Sequence, residues 1–210
     1  MAFLSKLSKV SNQTAVLTIF LAWYLSAAIT TLIVTGFLQR IALVMTWMFA
    51  YVLVFMTIAF IASWKLRRTD IVDIAWGPAF VVAAVSSFLM NSYDVPIGLN
   101  VQTLVTGLVI VWAARLSYAM WGRIRSHSED KRYVVLRRKW KGNLALNTYL
   151  RIFVLQGVLA TVISIAVIHI NTSLPTPLDT FAYSGLAIWL IGFLFELVGD
   201  LQLKRFLANP

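Results

Sequence analysis

The chain has 210 residues, 60% of them hydrophobic and 12% charged, with a mean hydropathy of +0.82. Globular domains carry about twice that charged fraction, so the composition excludes a water-soluble domain and indicates a polytopic membrane protein. The lack of cysteine excludes disulfides, thiolate metal sites and cysteine nucleophiles, and a net charge of +10 without a nucleic-acid-binding motif reads as membrane topology and lipid-headgroup contact.

A membrane-spanning helix needs about 20 predominantly apolar residues. Six segments qualify, 15–37, 41–64, 71–90, 101–121, 150–170 and 182–201, so the expected fold is all-α, a single membrane-embedded bundle over 1–210. The opening "MAFLSKLSK" resembles the start of a signal peptide, but the apolar run behind it is too long for one, and a retained first helix is expected. Basic residues collect in alternate connections. Lys6 and Lys9 precede the first span, Lys65, Arg67 and Arg68 follow the second, and the hydrophilic stretch 122–149 follows the fourth. Lys204 and Arg205 close the chain, and only Arg40 breaks the pattern. "NSYDVPIGLNVQ" and "NTSLPTPLDT" hold no basic residue. This alternation predicts six spans with both termini in the cytoplasm.

The third span opens with "TDIVDIAWGPAF". At helical spacing Asp73, Trp76, Gly77 and Phe80 share one face. Asp70 reads as the N-cap of this helix. Two roles are open to Asp73: a cap, or a carboxylate facing a wet pocket, since one facing lipid is costly. Pro78 removes a backbone donor, and Gly77 admits a close neighbour. The fourth span ends in "WAARLSYAMWGRIR", where Arg115 either snorkels to the headgroups or turns inward towards Asp73 or Glu196. Arg151, at the start of the fifth span, reads as a snorkelling flank residue.

The loop "RIRSHSEDKRYVVLRRKWKGN" has enough guanidinium groups to hold phosphates, or to meet anionic lipid. The sixth span ends in "FELVGDLQLKRF", with Glu196, Asp200 and Lys204 on one stripe. An Asp200–Lys204 pair explains two of these and leaves Glu196 in need of a partner. Together the groups suggest a polar pocket open to the cytoplasm and roofed by the basic loop. His127 and His169 are expected on opposite faces, so no metal site is predicted.

"DIVDIAWG", "WAARLSY", "EDKRY" and "GFLFELVGDLQLKRF", in this order, resemble the bacterial branch of the membrane steroid 5-alpha reductase-like family. The resemblance implies NADPH as hydride donor, a lipid-like substrate, and reduction of a carbon–carbon double bond conjugated to a carbonyl, in a bacterial inner-membrane protein. It places Arg115, Glu196 and Asp200 where the family has cofactor-proximal polar residues, with Glu196 where eukaryotic members have asparagine. It puts Arg132 and Tyr133 in a "D-x-R-Y" loop pattern and adds Arg205 to the cofactor contacts. The tyrosine that polarises the substrate carbonyl in eukaryotic members becomes Trp112 here, so Asp73 is the candidate acid, with Trp76, Phe80 and Trp112 lining the substrate pocket. Family members continue into a segment resembling "RHPNYFGE". No His-Pro pair occurs in this chain, so a fragment or a natural truncation is expected. The competing expectations are a non-catalytic membrane protein, a related membrane methyltransferase, and a small transporter.

Overall fold

The computed structural model describes residues 2–91 and 98–208; Asp94 and Pro96, expected in a loop, lie outside them. By packing, the chain falls into two units, Met1–Thr46 and Trp47–Pro210. The first is helical throughout its described residues. Among its described side chains, Thr30 and Thr35 donate to the carbonyls of Ser26 and Thr31 at 2.8 and 2.9 Å, the usual refuge of a hydroxyl in an apolar setting.

The elements in order are α1 (Ala2–Leu66), α2 (Ile71–Asn91), α3 (Val101–Ser126), α4 (Lys131–Arg138) and α5 (Leu144–Thr148). A π-helical turn at Tyr149–Val154 follows, then α6 (Leu155–Ile163), α7 (Ile165–Thr172) and α8 (Thr180–Ala208). No strand occurs among the described residues. Five helical segments among them are long and apolar enough to cross a membrane: Ile29–Leu66, Ile71–Met90, Val101–Ser126, Leu144–Ile163 and Thr180–Phe206. Where two spans were expected over 15–37 and 41–64, one helix is assigned throughout, and the anticipated connection at 38–40 is helical. Leu38, Gln39 and Arg40 are all good helix formers, and no proline or turn cluster stops the helix there.

Within the second unit α2 is the central helix, packed on α3, α6 and α7. Its buried stripe is Val72, Ala75, Ala79 and Ala83, at helical spacing. Small residues suit this position, because in lipid helices associate through close contact and not through water exclusion. Gly77 marks the tightest approach: a Cβ there would lie 2.7 Å from the Ala113 carbonyl oxygen of α3. The C-terminal part of α1 meets the π-helical turn through Phe60, whose ring lies 5.1 Å from Tyr149 and 5.4 Å from Phe153. Thr57 Oγ1 and Tyr149 Oη share a hydrogen bond of 2.9 Å.

At the other end of the bundle, buried Asn171 of α7 donates to the Ala84 carbonyl (2.8 Å) and Ser87 Oγ (3.1 Å), and its Oδ1 accepts from Thr106 Oγ1 at 3.3 Å. This ties α7 to α2 and α3. Gln102 Nε2 donates to the Leu174 carbonyl at 2.8 Å, and Asn100 caps α3 by accepting from the Thr103 amide at 2.8 Å.

Pro78 lies inside α2 and cannot donate to the carbonyl four residues back, that of Ile74. Ser117 of α3 supplies the missing donor, its Oγ lying 3.3 Å from that oxygen. Ser117→Ala is therefore expected to cost about 1 kcal/mol. In a Pro78→Ala background, where the helix provides its own donor, the cost should fall towards zero. A double-mutant cycle measures the coupling; equal costs in both backgrounds would contradict this pairing.

Candidate functional site

The site begins where α1 ends. Arg67 takes a left-handed conformation (φ 54), and the Arg68 amide returns to the Ser63 carbonyl at 3.0 Å, closing the helix in a Schellman-like turn. This turn presents Arg68, Thr69 and Asp70 to the connection between α3 and α4. Asp70 does not cap α2 with its side chain. It accepts from Arg68 Nε at 3.1 Å, Arg68 Nη2 at 2.8 Å and the Asp130 amide at 3.2 Å. The expected cap loses because a guanidinium two residues away offers a paired, charge-assisted contact. Arg68 Nη1 also donates to the Ile124 carbonyl at 2.9 Å.

Glu129 completes this junction. It accepts from the Thr69 amide at 2.7 Å and binds both terminal nitrogens of Arg137, one at 2.5 Å. Burial opposes its ionisation, but the Arg137 and Thr69 bonds outweigh it and hold the carboxyl below its ordinary value. Asp130 caps α4 by accepting from the Arg132 amide at 2.8 Å and also binds the Arg132 guanidinium at 2.8 Å. The Arg132 side-chain bond, followed by that amide bond, holds its carboxyl down at about 2. Groups depressed in the folded state stabilise it above their ordinary pKa and lose that contribution as pH falls through the folded value. Here the window runs from the ordinary 3.8 of an aspartate down to about 2 for Asp130. Pepsin cleavage within 127–141 should thus rise as pH falls through this window. Asp130→Asn should already be cleaved readily at about pH 4.

Asp73 lies in the first turn of α2, with its side chain 23% exposed. It accepts from Tyr133 Oη at 2.6 Å, and Arg132 Nη2 lies 3.8 Å from its other oxygen. Burial, and then the bond to Asp73, raise the Tyr133 phenol well above its ordinary value. Of the two roles left open for Asp73, the structure gives it a side-chain partner from the loop.

A second cluster joins α3 to α8. Arg115 turns inward and binds Glu196 (Nη2 to Oε2, 2.5 Å) and Asp200. Trp112 Nε1 donates to the same Glu196 oxygen at 3.1 Å, and the guanidinium carbon lies 5.9 Å from the Phe193 ring centre. Glu196 thus has the partner its depth demanded. Asp200 pairs with Arg115 and not with Lys204, because the guanidinium fork presents one terminal nitrogen to each carboxylate. Arg115 Nε is buried with no partner among the described residues.

Between the clusters run the three aromatic residues singled out in the sequence. The Trp76 and Phe80 rings are 5.6 Å apart, and Phe80 meets Trp112 edge-on at 5.4 Å. The structure therefore links Asp73, Trp76, Phe80, Trp112, Arg115, Glu196 and Asp200 along one seam, with Arg132 and Tyr133 closing its loop end. Arg205 is exposed and stands apart. Arg151 rests 5.6 Å from the Trp140 ring centre and is exposed. Sequence reading missed the Arg68–Asp70 and Glu129–Arg137 pairs. The available signal was two acids, Glu129 and Asp130, inside a basic run.

Helices of this length and apolarity, packed around α2 with ionisable pairs at one end, define a multi-pass membrane protein. Residues 59–210 match the family described as "Protein of unknown function (DUF1295)", and the chain belongs to this family of membrane proteins, which is related to the steroid 5-alpha reductases. Searches of the curated proteins and of the solved structures return no match.

Proposed function

We propose that the chain is a membrane-embedded NADPH-dependent reductase, acting on a carbon–carbon double bond conjugated to a carbonyl in a lipid-like substrate, with its polar face in the cytoplasm of a bacterial inner membrane. The observation that carries the reading is the seam itself: a Tyr133–Asp73 pair and an Arg115–Glu196–Asp200 cluster joined by an aromatic run.

The donor set suits one end of the cofactor. Arg115 Nε is a buried donor without an acceptor among the described residues, while Glu196 and Asp200 are carboxylate acceptors with side chains about half exposed. Such a set matches a carboxamide or ribose hydroxyls, which both give and accept hydrogen bonds. Two acids against one guanidinium do not suit a phosphate. Lys204 and Arg205, a turn beyond Asp200 and without carboxylate partners among the described residues, would serve there. Bound NADPH would supply a hydride to the β-carbon of the enone. Tyr133 Oη donates to Asp73 at 2.6 Å, and that hydroxyl, turned to the substrate, would stabilise charge developing on its oxygen. Trp76, Phe80 and Trp112 would hold the apolar body and exclude water.

The second reading, a non-catalytic membrane protein, is favoured by a different observation: Arg115, Arg132 and Arg137 already have carboxylate partners inside the chain. NADPH titration separates the two, on the purified chain and on a version extended through a segment resembling "RHPNYFGE". The reductase reading expects saturable binding, weakened at least about tenfold in Asp200→Asn and in Arg115→Gln, the loss of one charged hydrogen bond. Binding unchanged in both variants would remove the site assignment, and absence of saturable binding would favour the non-catalytic reading.

A further inference from the structure

Two sets of cations stand out in the stretch 123–141. Arg123, Arg132 and Arg137 are paired with Asp130 or Glu129. Lys131, Arg138, Lys139 and Lys141 have no carboxylate within salt-bridge distance among the described residues, and all four are exposed. The division follows the geometry of α4. Tyr133, Val134 and Arg137 form the stripe turned to the bundle, at spacings of one and three residues, and Tyr133 and Arg137 are held by Asp73 and Glu129. Lys131, Val135 and Arg138 lie on the opposite side, Val135 being 49% exposed and Leu136 beside it 39%. A helix that leaves aliphatic side chains and unpaired cations together on one face is built for a boundary that is apolar on one side and anionic on the other.

Position supports the same occupant. α4 connects two spans, one ending at Ser126 and the next starting at Leu144, so it sits at the membrane surface. On either side of it, Arg125 lies 5.9 Å from the Trp121 ring centre and Arg151 lies 5.6 Å from that of Trp140. Indole rings beside guanidinium groups are typical of the headgroup layer.

We infer that the outward face of α4 and the turn after it, carrying Lys131, Arg138, Lys139 and Lys141, is a docking surface for the phosphate headgroups of anionic phospholipid, with Val135 and Leu136 seated in the acyl boundary. The inward pairs fix the helix, so the face is preformed. The inference stands independently of the reductase reading.

The test uses the full chain in uncharged detergent, with phosphatidylglycerol, phosphatidylcholine or inorganic phosphate added at matched concentrations. The readouts are lipid retained in native mass spectra and the unfolding midpoint. Phosphatidylglycerol should be retained and should raise the midpoint, and phosphatidylcholine should do neither. The combined variant Lys131→Gln, Arg138→Gln, Lys139→Gln, Lys141→Gln should reduce retention by at least about tenfold, each cation near an anionic surface being worth a several-fold factor. The charge-keeping variant Lys131→Arg, Lys139→Arg, Lys141→Arg should retain lipid as the native chain does, which separates lost charge from lost folding. Equal retention of the two lipids, unchanged retention in the neutralised variant, or an equal effect of inorganic phosphate would each overturn the assignment.

Discussion

Replacing Gly77 with valine is expected to destabilise the chain by about 3 kcal/mol, at the upper end of what overpacking costs. The added Cβ would stand 2.7 Å from the Ala113 carbonyl oxygen, 2.7 Å from Ser117 Oγ and 3.2 Å from Ala113 Cα. Two of these atoms belong to the α3 backbone and cannot rotate aside. Relief requires α2 and α3 to separate, which loses the packing that holds helices together in lipid and pulls Ser117 from the Ile74 carbonyl. Gly157→Ala is the matched control. Its Cβ would meet the flexible side chain of Met56 at 3.5 Å, ordinary contact, and the change should stay within about 1 kcal/mol. Unfolding midpoints in mixed micelles measure both. A Gly77→Val chain as stable as the Gly157→Ala chain would refute the close approach.

Asp70→Asn is the second large effect expected. The Asp70 side chain is 4% exposed and takes three donors from Arg68 and the Asp130 amide. Asparagine keeps the shape but replaces one acceptor oxygen with a donor, facing donors, and leaves the Arg68 charge without its partner. Removing one partner of a buried pair costs about 3–5 kcal/mol. Arg68 is 27% exposed, so water compensates in part, and about 2 kcal/mol is expected. The loss should be local first: trypsin should cut the 127–141 loop faster before the bundle unfolds. Arg132→Gln, which removes a side chain 70% exposed, should cost less than about 1 kcal/mol. Equal sensitivity of the two variants to trypsin would show that Asp70 does not anchor the loop.

The membrane class was legible because it depends on composition and on runs of about 20 apolar residues, which need no knowledge of packing. The face carrying Asp73, Trp76 and Phe80 was legible for a similar reason, since helical spacing alone brings those residues together. That Glu196 needs a partner followed from the cost of an acid at that depth; that the partner is Arg115 did not, since snorkelling and Asp73 were also open to that guanidinium. The Asp70 cap was misread because Arg68, two residues away in sequence, competes for the same oxygens only once the left-handed Arg67 has reversed the chain. The use of Glu129 by Arg137 and Thr69 was invisible: residues eight apart on a helix–loop junction have no periodicity to betray them. The break expected at 38–40 followed from dividing a long apolar run into spans of about 20 residues, and span length alone does not end a helix where no proline or turn cluster stands.

The middle of α3 serves two neighbours from adjacent faces. Ala113 and Ser117 lie against α2, Trp112 and Arg115 reach α8, and Val111, Ala114 and Tyr118 are exposed. Deleting or inserting one residue before this stretch would rotate all of it by about 100° relative to the rest of the helix. The α2 seam and the α8 ion pairs would then be lost together, with Tyr118 or Val111 swung into their place. Natural variation in this turn should therefore appear as substitutions on the outward side at constant length, never as a change in residue count.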